Sequence, residues 1–419
     1  MPFRRSRSSA AMASDAAMQR RHLVLLASGS LALGPGILLG AEAAVDDDPV
    51  NHVHRLASGW RAVERAGEPK DRVGIIELDW HRQQVRVVAD LPAPGRAHGV
   101  LAMHDGGFLA VGTRPGQWLI RCDAEGRVVS RIVVGQEMPV RTFNGHVDSS
   151  ADGQWLFTTE TDSPTGTSWI SVRDPRTLHR VNHFTSAGFD AHQCLGDAQG
   201  NLVVAHGGIL RADDGRKINL ERMTPSLSQI DPESGEIIGQ WRLPDRRLSI
   251  RHLAWSRPPE GSLPDGKHPD NNLSGARHAV GKPLLGIGLQ AEHDEASRRR
   301  DAPALALWRG GDLMLPTADA QAAGYVGDIA AGPAGGFVLS AQKAGRGLWW
   351  QPRAAQTLTK VAELTDVCAL APWPTRSGTG VLIGSARGVA LWHPAQQPRM
   401  LPWPAPMLPD NHWVLLSRG

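Results

Sequence analysis

His98-Gly99-Val100-Leu101-Ala102-Met103, then Asp105-Gly106-Gly107, then Phe108-Leu109-Ala110-Val111-Gly112 is an apolar strand, a tight turn and a returning apolar strand. The chain repeats that unit. Gly145-His146-Val147-Asp148-Ser149 leads through Asp152-Gly153 to Trp155–Thr159. Ala191-His192-Gln193-Cys194-Leu195 leads through Gln199-Gly200 to Asn201–Ala205. Arg251-His252-Leu253-Ala254-Trp255 opens a fourth copy, whose partner is the run Leu284–Gln290 beyond a long insertion. Gly327-Asp328-Ile329-Ala330-Ala331 and Phe337–Ser340 form the fifth, Asp366–Leu370 and Gly380–Gly384 the sixth. Asn411-His412-Trp413-Val414-Leu415-Leu416 starts a seventh just before the last residue. Third and fourth strands follow several copies, as in Trp118–Asp123 and Val128–Val134, or Leu227–Asp231 and Ile237–Leu243. Four short strands per unit, repeated at a spacing of about 40–50 residues, is the pattern of propeller blades.

The ends of the chain fit ring closure. The seventh copy supplies only a first strand, while Arg72–Leu78 and Gln84–Val88 near the start read as strands without a first copy. The C-terminal strand completing a blade begun by the N-terminal strands would remove the open sheet edges that invite aggregation. The expected fold is therefore all-β, a seven-bladed β-propeller whose last blade is closed by N- and C-terminal strands. Residues 45–419 form one domain in this reading, with a loop insertion at about 256–282 that is rich in Pro, Gly, Asn and Asp and lacks apolar periodicity.

Residues 1–44 read as an export signal. Arg20-Arg21 precede a mildly apolar run from Leu23 to Leu39, and Ala41-Glu42-Ala43 supplies a small-residue site, the order of a cleavable targeting peptide. The paired arginines resemble a twin-arginine signal, with Leu23 in place of the usual Phe and Gln19 in place of Ser or Thr; an ordinary secretory signal or an uncleaved anchor is the other reading. No second membrane segment follows, so the expected location is the periplasm. The formal net charge is +3, with much of the basic excess in that N-terminal segment, which leaves no basic footprint for nucleic acid. Cys122, Cys194 and Cys368 are odd in number and widely spaced, so they read as buried free thiols rather than a disulfide framework. The sequence holds no Walker-type glycine loop, no Rossmann fingerprint after a first strand, no H-E-x-x-H and no G-x-S-x-G.

The middle of the chain resembles a bacterial family, the DUF1513 proteins. The residues that carry the resemblance are Phe143-Asn144-Gly145-His146, Leu156–Asp162, Gly188-Phe189-Asp190-Ala191-His192, Val203–Ile209, Asp214-Gly215-Arg216, Ile218–Met223, Pro225-Ser226-Leu227 and Leu248–Leu253. It spans nearly all of the mature chain and is densest from about 96 to 256. His206 and Asp190 depart from the family's pattern, standing where Asn and Pro are usual. The resemblance implies an exported seven-bladed propeller, encoded beside imelysin-type periplasmic proteins in settings suggestive of iron acquisition. No catalytic residue comes with it.

Candidate site residues follow from the repeat. First strands line a propeller's channel, so the residues opening them sit near one mouth: His98, His146, His192, His252, Asp328, Asp366 and His412. Imidazoles and carboxylates suit a transition metal such as iron, copper or zinc, and a channel across seven blades lets only a subset reach one ion. The other reading is structural, one His or Asp per blade locking a neighbouring turn. Arg96, Arg141 and Arg251 flank these starts as anion-binding candidates or as channel ion pairs. Glu160, Asp162 and His206 follow second strands and are secondary candidates beside a plain turn reading. Two functions stand at this point. One is a periplasmic binding protein, an accessory of iron or other metal acquisition working through the channel mouth or a partner surface, with imelysin-type proteins as partners. The other is a metal-dependent oxidoreductase or lactonase-like hydrolase at the channel. The lack of a recognisable catalytic set favours the first.

Overall fold

The computed structural model describes residues 53–63, 69–212, 214–257, 283–317, 320–375 and 378–416. The expected export signal at 1–44 lies outside the described residues, as does nearly all of the 256–282 insertion. No helix among the described residues is long and apolar enough to cross a membrane.

Seven antiparallel sheets form the blades. Blade 1 runs from Ala97–Ala102 through Phe108–Gly112 and Trp118–Cys122 to Val128–Val133. Blade 2 comprises Arg141–Ser149, Leu156–Asp162, Thr167–Arg173 and Arg180–Phe189. Blade 3 comprises Ala191–Gly196, Leu202–His206, Ser226–Ile230 and Ile237–Trp241, with a small hairpin of Leu210–Arg211 and Lys217–Ile218 inserted between its second and third strands. Blade 4 shows three strands among the described residues, Leu248–Trp255, Leu285–Ala291 and Leu305–Trp308. Blade 5 begins at Asp328–Ala331 and blade 6 at Leu370–Thr375, each with four strands. Blade 7 is built from Met407–Leu416 followed in the sheet by Val53–Ala62, Asp71–Asp79 and Gln84–Pro92.

The closure expected from sequence is present, with one strand more than was read. Met407–Leu416 pairs with Val53–Ala62, which separates it from Asp71–Asp79. The segment VHRLASGWRA has no clean alternation, because it is a central strand buried on both faces and so does not need a polar side. First strands touch one another in ring order, and Met407–Leu416 touches both Leu370–Thr375 and Ala97–Ala102.

Apolar cores lie between blades, one at each of the seven junctions. Phe108, Ala110 and Ile120 of blade 1 meet Val73 and Ile75 of blade 7, and Val338 of blade 5 meets Val381 and Ile383 of blade 6. Trp60, Ile76 and Leu78 of blade 7 close on Trp373 and Leu382 of blade 6. Fourth strands carry the exposed apolar residues Val128, Val181, Ile238 and Met400, as outer edges do. The turns predicted from Asp-Gly pairs use the aspartate to accept a backbone N–H two residues on, 3.1 Å from Gly107 to Asp105 and 3.0 Å from Gln154 to Asp152. All three cysteines are free and buried, and burial pushes the Cys122 and Cys368 thiols up to about 12, so they are inert.

Candidate functional site

Local strand geometry aims the histidines. In blades 1, 2 and 3 the first strand shifts register at its histidine, between Ala97 and Val100, Phe143 and Val147, and Ala191 and Cys194. Blade 4 shifts between Ile250 and His252, and blade 7 between Trp413 and Pro409, around His412. A bulge re-aims a side chain out of the pleat. Here it turns five imidazoles to the axis. Gly145 makes room for this: at φ 96° it adopts a left-handed conformation, and a Cβ there would stand 2.7 Å from His98 Cδ2.

The result is a cluster. Ligand nitrogens of His98, His146, His192 and His252 all lie within 4.8 Å of one another, and all four residues are buried. His146 Nε2 is 3.3 Å from His192 Nε2, which is 2.8 Å from His252 Nε2. Around a metal with nitrogen ligands at ~2.1 Å, a tetrahedron separates those nitrogens by ~3.4 Å. His412 is the fifth ring, with its centroid 4.8 Å from those of His98 and His252 and 4.9 Å from that of His146.

One carboxylate holds a ring at hydrogen-bond distance and a second stands close to another. Asp328 Oδ1 is 3.0 Å from His412 Nδ1, and Asp410 Oδ1 is 3.6 Å from His98 Nδ1. Nε2 of His412, Nδ1 of His252 and both ring nitrogens of His98 are buried without a hydrogen-bond partner. A carboxylate behind an imidazole whose other nitrogen is bare is the outer-shell arrangement of metal-ligating histidines. His192 is held differently. Arg114 Nη2 contacts its Nδ1; a guanidinium only donates, so neutral His192 carries its proton on Nε2. Desolvation holds His98 down to about 4 and pushes His146 and His252 well below the ordinary range, reinforced by the neighbouring rings. The rings are therefore neutral, the form that binds metal.

The remaining predicted residues have other placements. Asp328 is at the cluster, where Oδ2 also accepts Leu370 N–H at 2.8 Å and ties blade 5 to blade 6. Asp366 is not brought in, and its expected place on the ring is corrected. The first strand of blade 6 starts at Leu370, so Asp366 falls in the turn before it, exposed and at φ 53°. The three arginines meet carboxylates rather than standing open to an anion. Arg96 donates to Asp410 through Nε at 2.6 Å and Nη2 at 3.0 Å. Arg141 lies 3.8 Å from Glu160 and 3.9 Å from Asp162, with its guanidinium over Trp169. Arg251 is 2.9 Å from Asp190. Glu160 is fully buried, accepting from Arg173 Nη2 at 2.8 Å and from Thr158 Oγ1 at 2.9 Å. Asp162 caps its own turn through Thr165 at 3.0 Å. His206 lies on a second strand, off the axis, 2.9 Å from Ser186 Oγ, and burial takes it down to about 4.

Sequence reading missed Asp190, Arg114 and Arg211 as a unit. Asp190 sits at φ 55°, a conformation that Asp tolerates better than most residues, and Arg114, Arg211 and Arg251 all converge on it. Gly207 permits the approach, since a Cβ there would lie 2.5 Å from Asp190 Oδ2 and 2.8 Å from Arg251 Cζ. The unusual Asp190 before Ala191-His192 was the available signal.

Residues 91–416 match the model of a protein family described as a protein of unknown function, DUF1513. The chain belongs to the DUF1513 family. The family reading made from Phe143–His146 and Gly188–His192 holds, and with it a seven-bladed propeller. No protein of curated function matches this DUF1513 chain. Among solved structures it is similar to hydrazine synthase of Kuenenia stuttgartiensis, with 13% identity over 78% of this chain and 92% of that one and a TM-score of 0.53. A virginiamycin B lyase from Staphylococcus aureus superposes at a TM-score of 0.47, with 10% identity over 74% of this chain and 84% of that one. The Dos1 propeller does so at 0.48, with 9% identity over 86% and 90%. At these identities the first likeness speaks to fold alone, and the other two carry no argument.

Proposed function

We propose that this DUF1513 protein is an exported propeller that binds one transition-metal ion at its axis, and that it serves metal acquisition, iron above all, in the periplasm. The observation that carries the proposal is the convergence of four buried, neutral imidazoles, with bare ring nitrogens beside them at His98 and His412. Buried polar atoms are nearly always satisfied, and a purely structural ring would pair these nitrogens with neighbouring turns. A histidine-only inner shell suits Fe(II), Zn(II), Ni(II) or Cu(II). His98, His146, His192 and His252 would hold the ion, with His412 at its edge and Asp410 and Asp328 behind. The bound ion would act as a Lewis acid or be cargo; the rings, already neutral, would ligate without net proton loss, His192 once its ring hydrogen moves to Nδ1 and Arg114 turns aside. The periplasmic address and a docking partner of the imelysin type rest on the N-terminal segment and the family's setting.

Elemental analysis of untagged protein prepared from the periplasmic fraction tests the reading. The expected result is close to one iron, zinc or copper per chain, lost in His146→Ala and His252→Ala variants that keep the wild-type far-ultraviolet circular dichroism. Protein that arrives without metal and takes up neither Fe(II) nor Zn(II) in stoichiometric amount would return the ring to blade packing.

A further inference from the structure

A cleft of about 50 Å³ opens beside the histidine cluster, between blades 1, 2 and 3. Its polar lining includes Arg114, Asn144, Thr161, Asp190 and Arg211, and Pro115, Ile209 and Ala212 give it apolar walls. Arg114 joins the cleft to the cluster, touching both His192 and Asp190.

Two features of the cleft call for an anion. First, three guanidiniums share one carboxylate. Arg251 Nη1 is 2.9 Å from Asp190 Oδ2, Arg211 Nε donates to Oδ1 at 3.0 Å, and Arg114 pairs with the same Oδ1. The adjacent Lys217 has its own partner in Glu292, so the surplus positive charge around Asp190 is unmatched among the described residues. Asp190 is held far below the usual carboxylate range despite its burial, by Arg114, Arg251 and Arg211. Burial, with Arg211 and Arg251 nearby, lowers Arg114 to about 9, still cationic at neutral pH. Second, Asn144 is only 3% exposed and its Oδ1 accepts Thr161 Oγ1–H at 2.9 Å, while its Nδ2 has no partner. A buried amide donor left bare costs about 1–3 kcal/mol, which a ligand acceptor would offset.

We propose that this cleft binds a small dicarboxylate, its carboxylates taken by the guanidiniums of Arg114 and Arg211 and by the Asn144 amide. Guanidinium forks match carboxylate oxygens in pairs, the doubled negative charge answers the surplus, and the apolar walls accommodate a short methylene spacer that a phosphate lacks. The site is distinct from the metal centre and stands without it.

Calorimetric titration of the metal-stripped mature chain with succinate, and separately with inorganic phosphate, tests the proposal. Succinate should bind one per chain and more tightly than phosphate. Asn144→Asp, which keeps the shape and replaces the donor, and Arg211→Gln, at a partly exposed position, should each weaken succinate at least tenfold. Both should keep the wild-type far-ultraviolet circular dichroism, which shows that they fold, and their metal uptake. No saturable succinate binding, tighter binding of phosphate, or two folded variants that bind succinate like wild type would overturn it. Since the titration is run without metal, failure of the metal reading leaves its outcome unaffected.

Discussion

Blades 5 and 6 and the five histidine blades are built from the same antiparallel unit, four strands in each except blade 4, which shows three among the described residues, yet they meet the axis differently. Blade 5 keeps a continuous register from Asp328↔Ser340 to Ala331↔Phe337, and blade 6 from Leu370↔Ile383 to Thr375↔Gly378. The first strands of blades 1, 2, 3, 4 and 7 each break register at their histidine. One or two added residues in a strand change where a side chain points without changing the blade. The regular blades contribute support instead: Asp328 braces His412 and binds the backbone of blade 6, and Asp366 remains in an exposed turn. A propeller can thus vary its axis while its inter-blade cores stay alike.

The comparison can be tested at its two aspartates. Asp328→Asn keeps a carbonyl to accept Leu370 N–H but loses the charge behind His412, so metal affinity should fall 10–100-fold. Asp366→Asn should leave affinity within a factor of about two. Competition with a chromophoric chelator measures both, and equal effects would erase the distinction between ring and rim.

The bulges themselves can be challenged at Gly145. With φ at 96° and His98 Cδ2 2.7 Å from the position of a Cβ, Gly145→Ala should cost ~1–3 kcal/mol. Gly311→Ala, where an added Cβ would meet nothing within 4 Å, should change stability by less than ~0.5 kcal/mol. Urea midpoints read the difference.

A smaller effect separates the two groups by pH. His98 and His206 are held down to about 4 by burial, against ~6.5 in an unfolded chain. Between those values the unfolded chain binds more protons, so stability is full above pH ~6.5 and is lost as pH falls toward 4. Asp410, at about 2 with His98 and Arg96 offsetting its burial, adds a later loss as pH falls from ~4 toward 2. Melting temperatures of the metal-free protein should therefore be level from pH 8 to 7 and descend below 6.5. Replacing His98 with Gln should flatten part of that first descent. A melting temperature that rises on acidification would contradict the burial of neutral rings.

Much of this was legible in the chain. Alternating apolar runs, Asp-Gly turns and a repeat near 40–50 residues are local signals, and local signals fix a blade. The truncated seventh copy beside unpaired N-terminal strands announced the closure. Val53–Ala62 escaped because a strand buried on both faces carries no alternation to read. His98, His146, His192, His252 and His412 were singled out by position in the repeat, whereas Asp366 was misplaced because sequence spacing does not show whether a strand starts at the aspartate or four residues later.

What the sequence determined alone was the all-β repeat, its sevenfold count, its family and the shortlist of axis residues, since each rests on patterns a few residues long. The tertiary structure decided which of those residues meet. The Arg96–Asp410 pair spans 314 positions and Arg114–Asp190 spans 76, and the histidine cluster exists only once five blades have closed around an axis. Such contacts depend on bulges and on the packing between blades, neither of which a linear pattern encodes.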